Sequence, residues 1–314
     1  ATTLAFSIML AVVLTGIGLG GALAGLWVGR TPDAFRKAPF LALGASVGVA
    51  LTYRGFAYVL SAYGTAYIGK ISDILILGLA LMFPVSLLSG FLFTLTGTAL
   101  HREIQPDTRS AGLLTLANTT GAGLGSLCAG FLLLPRLGME NSYFLIVLVY
   151  IPVAFLLYGK PASLRKFFRY VVLVVGFLLL LFPHGHMENT YFPFVAKRFG
   201  YPDTWKIADT REGRTETIIY LEGGYFDIPV AHQMLTDGFS MASSSLVNRC
   251  YMKLYVYWPL ALHPNPQNAL LISFGVGSTA KALTDTRSFK RIDVVDISQD
   301  VLEMNRIVYP DPKT

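Results

Sequence analysis

Long apolar runs dominate the first part of the chain and end abruptly after Pro183. A helix needs about 20 apolar residues to cross the roughly 30 Å of hydrocarbon in a bilayer. Because backbone polar groups have no water partner in lipid, runs of this length are expected to be helical. We therefore predict a bundle of about six transmembrane helices within residues 1–183, at roughly 4–28, 39–62, 74–99, 111–135, 142–158 and 168–183.

From His184 onward the pattern changes, because charged residues become frequent and the apolar runs become short. We assign residues 184–203 to a linker. Short strand-like runs at 216–221 and 226–230, separated by Glu222-Gly223-Gly224, predict a small β-lobe over residues 204–243. Residues 244–314 begin with an amphipathic helix and continue as strand, glycine turn, helix and strand, which predicts the N-terminal part of a Rossmann-like α/β domain. We expect the chain to be a piece of a longer protein, truncated at both ends.

The glycine turn gives the clearest indication of a ligand. An apolar run from Ala269 leads to Gly275 and Gly277, and a second apolar run ends at Asp296, about 20 residues later, as in nucleotide-binding βαβ units. The glycines permit a tight turn and close approach of a ligand, and the carboxylate can accept hydrogen bonds from two ribose hydroxyls. The third glycine of the usual pattern is missing, so a glycine turn of an ordinary α/β protein is the alternative.

Composition and charge agree with a membrane protein. The 314 residues are 53% hydrophobic, and the net charge of +6 comes largely from Lys and Arg in short loops between the apolar runs. Such charges indicate membrane topology and not nucleic-acid binding. The richest basic loops follow the first, third and fifth runs, so six true spans place the C-terminal part outside the cell, and one failed span places it inside. We expect an integral protein of the bacterial inner (plasma) membrane. The sequence does not decide on which side of the membrane the C-terminal part lies.

Polar and small residues within the apolar runs predict packing sites. Glycines four residues apart in the first run allow close helix contact, and Pro84 and Pro152 are expected to cause kinks. The polar stretch 118–125 is expected to face protein, and Arg54 is expected to face the bundle interior, either in a structural pairing or as a translocation or anion site. The first-run glycines are Gly16, Gly20, Gly21, Gly25 and Gly29.

Neither the histidines nor the cysteines predict a metal or disulfide site. His184, His186 and Glu188 lie two residues apart, but no further His/Cys cluster accompanies them, so an interfacial loop is the interpretation and no metal is predicted. The two cysteines, Cys128 and Cys250, do not make a disulfide framework.

Several features of the C-terminal part occur in an order that resembles the spermidine synthase (polyamine aminopropyltransferase) family. They are the Asp237-Gly238 turn after the β-lobe, a helix carrying Tyr251, the tetrapeptide at 263–266 (His-Pro-Asn-Pro), the glycine turn and Asp296. The stretches 117–122, 134–138, 211–215 and 277–280 resemble the membrane-integrated branch, in which a transporter-like helical bundle precedes the synthase-type domain.

This resemblance implies a site. Gly275 and Gly277 would face the methionine part of S-adenosylmethionine or of decarboxylated S-adenosylmethionine, the co-substrate. Asp296 would hold the ribose, and Tyr251 would line the amine pocket. The catalytic aspartate of the family belongs to a later strand, beyond this chain, so no catalytic residue is assigned.

Three positions depart from the family pattern. Val276 stands where soluble spermidine synthases have an acid, Lys253 lies close to the place of a second acid near the tyrosine, and Met241 stands where they have glutamine. A buried polyamine needs carboxylates to compensate its charge, so these changes weaken the case for putrescine as the acceptor.

We expect a membrane-bound, spermidine synthase-like protein of the S-adenosylmethionine-dependent transferase type, which moves an aminopropyl or alkyl group to an amine. One alternative is a non-catalytic domain that senses a nucleotide or polyamine for the membrane bundle; another is a nicotinamide-binding Rossmann domain. The expected partners are the lipid bilayer, a small nucleotide and a polyamine, with no nucleic acid. The oligomeric state is left open.

Overall fold

A computed structural model describes residues 2–31, 33–62, 70–105, 107–158, 165–198, 205–225 and 228–310. The chain divides into two compact units, the first comprising Ala1–Leu133 and Met139–Tyr191, the second Leu134–Gly138 and Phe192–Thr314. The units are groups of residues in mutual contact, and the domain limits at 183, 203 and 243 stay predictions.

The first unit is helical throughout its described part. Three helices have proline in their first turn, where the fixed φ suits a helix and the missing N–H costs nothing. A 3₁₀ turn precedes α2, and a π turn joins α5 to α6. The helices are α1 (Thr2–Arg30), α2 (Ala38–Ser61), α3 (Ile71–Leu81), α4 (Phe83–Glu103), α5 (Asp107–Cys128), α6 (Leu134–Leu157) and α7 (Arg165–Leu180).

Four helical stretches of the described chain are long and apolar enough to cross a membrane, namely Thr3–Arg30, Ala34–Phe56, Phe83–Glu103 and Asp107–Leu157. An apolar helical bundle is therefore supported, whereas the number of six spans stays a prediction. The run at 74–99 is not one helix, because the helix is interrupted by a turn at Met82, two residues before Pro84. The fourth and fifth predicted spans belong to one 51-residue helical stretch. This stretch is interrupted at Gly138, whose backbone is non-helical (φ 73°, ψ 176°).

Glycines bring α1 and α4 into close contact. A Cβ atom on Gly20 would overlap the carbonyl oxygen of Leu87 in α4, and a Cβ atom on Gly90 would overlap the carbonyl oxygen of Ile17 in α1. The packing interpretation is confirmed for Gly20, and for Gly16, whose added Cβ would lie 2.7 Å from the Ser86 Cβ. It is wrong for Gly25 and Gly29 within the described part of the chain, where no atom lies within 4 Å of an added Cβ.

Arg54 lies on the exposed face of α2, together with Leu51 and Tyr58, so the prediction that it faces the bundle interior is wrong. The buried face of this helix is occupied instead by residues that include Ser46 and Tyr53. The Ser46 hydroxyl donates to the carbonyl oxygen of Val147 at 3.0 Å, which fixes the rotation of α2 against α6. Positions three and four residues away from Arg54 share its face, so the arginine follows them outward.

The polar stretch of α5 is also exposed, contrary to expectation. Among the described residues of this helix only Ser110 is buried, and Asn118, Thr119 and Thr120 are exposed. The helix approaches α4 near its N-terminal half, where a Cβ on Gly97 would lie 2.8 Å from Leu114. That contact does not extend to the polar stretch.

A polar cluster around Glu140 was not predicted from the sequence. The Glu140 carboxylate accepts hydrogen bonds from the Tyr53 hydroxyl (2.6 Å) and from the backbone amides of Gly185 (2.6 Å) and Met187 (3.2 Å). His184 lies beside it, with Nδ1 3.8 Å from the carboxylate. The histidine-containing loop after α7 therefore folds around Glu140, and the structured residues contain no group of three metal-ligating side chains.

The longer segment of the second unit begins with α8 (Phe192–Arg198) and contains a four-stranded antiparallel sheet, in which neighbouring strands follow chain order. Its strands are β1 (Trp205–Glu212), β2 (Thr217–Tyr225), β3 (Ile228–Thr236) and β4 (Phe239–Ser243). The predicted β-lobe is thus present, with more strands than the predicted hairpin; residues 226–227 of the predicted second strand lie outside the described residues. Asp237 (φ 49°) and Gly238 (φ 77°) form the tight turn between β3 and β4, the backbone that Asp-Gly favours.

Glu222-Gly223-Gly224 does not break the strand as predicted, because it lies within β2. Glycine is needed at these two positions because neighbouring atoms leave no room for a side chain. A Cβ on Gly223 would overlap the Trp205 ring, and a Cβ on Gly224 would overlap the carbonyl oxygen of Ile228. The pairing of β2 with β3 shifts register between these two glycines, so they form an irregularity inside the sheet and not a turn.

The rest of the second unit alternates helix and strand. Strands β5 and β6 pair in parallel, as predicted, with Ile272 opposite Val295. Residues of β2, β3, the glycine turn and α11 share one core, which includes Tyr220, Met234 and Val276. The elements are α9 (Leu246–Leu262), β5 (Asn268–Ile272), α10 (Ser278–Thr286), β6 (Arg291–Val295), α11 (Gln299–Glu303) and α12 (Asn305–Val308).

An ion-pair network joins β1 to α11. Arg211 contacts Asp300 at 3.2 Å and Glu303 at 2.6 Å. The hydrogen bond to Glu303 raises the pKa of Arg211, and the same bond lowers the pKa of the exposed Glu303 carboxyl. The network holds the antiparallel sheet beside the helix that follows β6.

Candidate functional site

The turn between β5 and α10 has the backbone that its glycines allow. Gly275 (φ 58°) and Gly277 (φ 74°) both have positive φ, as does Ser273 (φ 75°). Gly277 is the residue before α10, and its carbonyl oxygen accepts the first helical hydrogen bond, from the Lys281 amide. The first amides of a helix lack partners within it, so this turn presents donors at the carboxyl end of the sheet.

Asp296 lies directly after β6, beside the end of β5. One carboxylate oxygen accepts from the Phe274 amide at 2.7 Å, and the other accepts from the Ser298 amide at 3.0 Å. The side chain therefore fastens the glycine turn to the neighbouring strand, which the sequence did not indicate. A carboxylate offers about four lone-pair positions, so acceptor capacity remains for the hydroxyls of a ligand.

A crevice of about 510 Å³ opens at this end of the two parallel strands. Gly275, Asp296 and Tyr251 line it, so the structure brings these three predicted residues together. Tyr251 is 44% exposed and lies edge-on to Tyr255, with ring centroids 6.1 Å apart. In open α/β sheets this is the usual place for a ligand.

Gly277 does not line the crevice, although we expected both glycines to face the ligand. A Cβ on Gly277 would lie 2.8 Å from the ring atoms of both Phe274 and Tyr309. Its role in this structure is to let these two rings pack over the turn. Gly275 does line the crevice, and its added Cβ would lie 3.2 Å from the Ala242 Cβ.

Gly277→Ala is expected to destabilise the fold by roughly 1–2 kcal/mol, the cost of a left-handed backbone for a residue with a Cβ, with a further cost from the two rings. Thermal unfolding of the variant and of Gly176→Ala, a helical glycine with open space around it, measures the difference. Equal stability of the two variants would contradict the proposed packing.

Glu216 is a crevice residue that the sequence analysis missed. It immediately precedes β2 and is one of the residues that line the crevice, as Asp296 is. The residue pattern predicts only a strand at 216–221, because nothing local to Glu216 shows that the β-lobe lies over the glycine turn. Its carboxylate is an acidic group available to a cationic ligand.

The three departures from the family pattern lie in different surroundings. Val276 is 1% exposed and belongs to the core below the turn, so no charge stands there. Met241 lines the crevice and is 62% exposed. Lys253 does not line the crevice, and lies on another face of α9.

Comparison with known proteins identifies partial relatives with one common name, polyamine aminopropyltransferase. The protein from Streptococcus pneumoniae (serotype 4) is 36% identical over 85 residues, 27% of this chain and 30% of the relative. The protein from Alkaliphilus metalliredigens is 37% identical over 77 residues, 24% of this chain and 27% of the relative. The protein from Pyrobaculum neutrophilum is 27% identical over 119 residues, 37% of this chain and 34% of the relative.

The alignments thus span about a third of each relative, or less, and no family model matches the chain. They support a spermidine synthase-like region in this chain. The apolar helices that precede this region are supported by the structure alone.

Proposed function

We propose that this chain comprises a membrane-bound helical part and nucleotide-binding elements of a spermidine synthase-like transferase. The observation that carries the proposal is the crevice at the carboxyl ends of β5 and β6. It is lined by the glycine turn, by Tyr251 and by Asp296, whose carboxylate can accept hydrogen bonds from ribose hydroxyls. The proposed ligand is S-adenosylmethionine or its decarboxylated form, and the proposed reaction is aminopropyl or alkyl transfer to an amine.

In this proposal each crevice residue has a binding role. The amides of the glycine turn face the methionine-derived part of the nucleotide, Asp296 accepts hydrogen bonds from the ribose hydroxyls, and Tyr251 lines the amine pocket. Glu216 adds a carboxylate that compensates part of the charge of the sulfonium or of a polyamine.

The chemistry is a displacement at carbon. The lone pair of the amine nitrogen attacks the carbon next to the sulfonium, the carbon–sulfur bond breaks, and its electron pair stays on sulfur, which becomes a neutral thioether. The amine loses a proton to a general base, a role that we assign to no residue of this chain. Positioning supplies much of the rate, because the sulfonium is already an activated leaving group.

A non-catalytic sensor is the second candidate, favoured by Val276. In this chain the family's acid in the glycine turn is a buried apolar residue, so one carboxylate that would hold an aminopropyl amine is absent from that position. The proposed location is the bacterial inner membrane for both candidates, with lipid against the exposed apolar side chains of the bundle, such as Leu156 (86% exposed) and Leu173 (71% exposed).

Binding of labelled S-adenosylmethionine and of its decarboxylated form to the full-length protein in detergent tests the proposal. We expect saturable binding of at least one. Release of the thioether nucleotide on addition of putrescine or another amine supports the transferase, and binding without release supports the sensor. If neither nucleotide binds, both candidates are wrong.

A further inference from the structure

A second cavity of about 220 Å³, here called the basic pocket, lies in the second unit on the other side of α9 from the crevice. Arg249 and Lys253 are four residues apart and point into it, whereas Tyr251 and Tyr255 point into the crevice. An offset of two residues turns a helix by about 200°, so the two pairs lie on opposite faces of α9, while Ser278 lines both cavities.

Three cationic side chains line the basic pocket, and none of its described lining residues is acidic. Arg249 donates through Nε (3.0 Å) and one terminal nitrogen (2.6 Å) to the carbonyl oxygen of Ser244, which orients its guanidinium. Lys281 contacts Asp285 at 3.4 Å, on the same exposed side of α10. Within the described chain Lys253 forms no ion pair, so its charge is not compensated there.

His232 contributes a neutral side chain to the same wall. Burial lowers its pKa below the ordinary value, with the charge of Arg249 acting in the same direction and that of Glu222 against it. The positive charge of the basic pocket therefore comes from the lysines and the arginine.

A buried hydroxyl gives independent support for a ligand. Ser278 is 3% exposed, lines both the basic pocket and the crevice, and has an Oγ atom with no hydrogen-bond partner among the described residues. Burial raises the pKa of Tyr309, and the nearby Ser278 hydroxyl acts against this rise, but the two hydroxyls lie outside hydrogen-bond geometry. A buried hydroxyl without a partner is unfavourable, so this group is well placed to bind something that fills the cavity.

We propose that the basic pocket binds a small oxyanion, such as a phosphate or carboxylate group. Lys253, Lys281 and the remaining guanidinium N–H groups of Arg249 supply the charge, and the Ser278 hydroxyl donates a hydrogen bond. Ser278 is also the first residue of α10, a nine-residue helix whose N-terminus favours negative charge. A water molecule occupies about 30 Å³ in the liquid, so a cavity of this volume has room for a phosphate.

The test uses the whole chain in phosphate-free detergent solution, without nucleotide. Inorganic phosphate is titrated calorimetrically, and acetate is then added as a competitor. Saturable phosphate binding is expected; competition by acetate shows that the site also accepts carboxylates, and lack of competition shows that it selects phosphate.

Lys253→Met and Ser278→Ala are each expected to weaken phosphate binding by about tenfold, the effect of losing one hydrogen bond to a charged group. Lys290→Met removes the same charge from an exposed position outside the basic pocket and is the matched control. Ser278→Ala should leave thermal stability unchanged or raise it, because the hydroxyl has no partner.

No saturable binding of phosphate by the wild-type chain, or an equal loss in Lys253→Met and Lys290→Met, would overturn the proposal. The nucleotide experiment uses a different probe, and Lys253 lines the basic pocket but not the crevice, so Lys253→Met separates the two proposals although Ser278 lines both cavities. Failure of either proposal is therefore recognised without reference to the other.

Discussion

Asp296→Ala is expected to weaken binding of S-adenosylmethionine or its decarboxylated form by at least tenfold. The ribose hydroxyls would lose an ionised acceptor, and a hydrogen bond to a charged group contributes about 1.5–3 kcal/mol. The measurement is equilibrium binding of the labelled nucleotide to the full-length variant.

The same variant also frees the amides of Phe274 and Ser298, so stability has to be measured beside affinity. Asp293→Ala is the matched control: it removes an acid from β6 that contacts only the exposed Arg291 among the ion pairs of the described chain. If Asp296→Ala retains wild-type affinity for both nucleotides, the assigned site is wrong. If Asp293→Ala and Asp296→Ala lose affinity equally, the loss comes from the change in the protein's net charge and not from a contact of Asp296 with the ribose.

Gly20→Val is expected to destabilise the bundle by about 3 kcal/mol or more, at the upper end of the range for overpacking. The added side chain would meet the backbone of α4 at Leu87, and backbone cannot move aside as a flexible side chain does. Close helix contacts of this kind are a main source of stability where lipid gives no hydrophobic drive.

Gly25→Val, five residues further along α1, provides the control, because an added Cβ there would lie more than 4 Å from the other described residues. Unfolding in detergent, followed by circular dichroism or by protease sensitivity, compares the two variants. Similar unfolding of both would show that the contact between α1 and α4 does not limit stability.

The sequence predicted the features of the site that depend on local residue type. A glycine pattern followed by an apolar run and an acid fixes a strand–turn–helix–strand order, so the turn at Gly275 and the position of Asp296 after β6 followed directly. The Asp237-Gly238 turn was equally recognisable, because few residues accept positive φ.

The sequence did not predict features that depend on packing between distant elements. Glu216 lines the crevice only because the β-lobe lies over the glycine turn, and Gly277 is turned toward Tyr309, 32 residues later in the chain. Arg54 shows the same limit in the bundle, since apolar residues surround it in sequence on every side. Which face of α2 is buried depends on partners such as Val147, about a hundred residues away.

The non-helical residue Gly138 has a consequence for the modularity of the protein. The polypeptide leaves the first unit after Leu133, contributes Leu134–Gly138 to the second unit, returns at Met139, and leaves again after Tyr191. An added Cβ on Gly138 would lie 3.0 Å from Glu212, so this short stretch lies against β1. A polypeptide starting at Phe192 would lack one of the pieces against which its own sheet folds. The two units therefore alternate along the chain, and recombination at a single junction would not exchange either one intact.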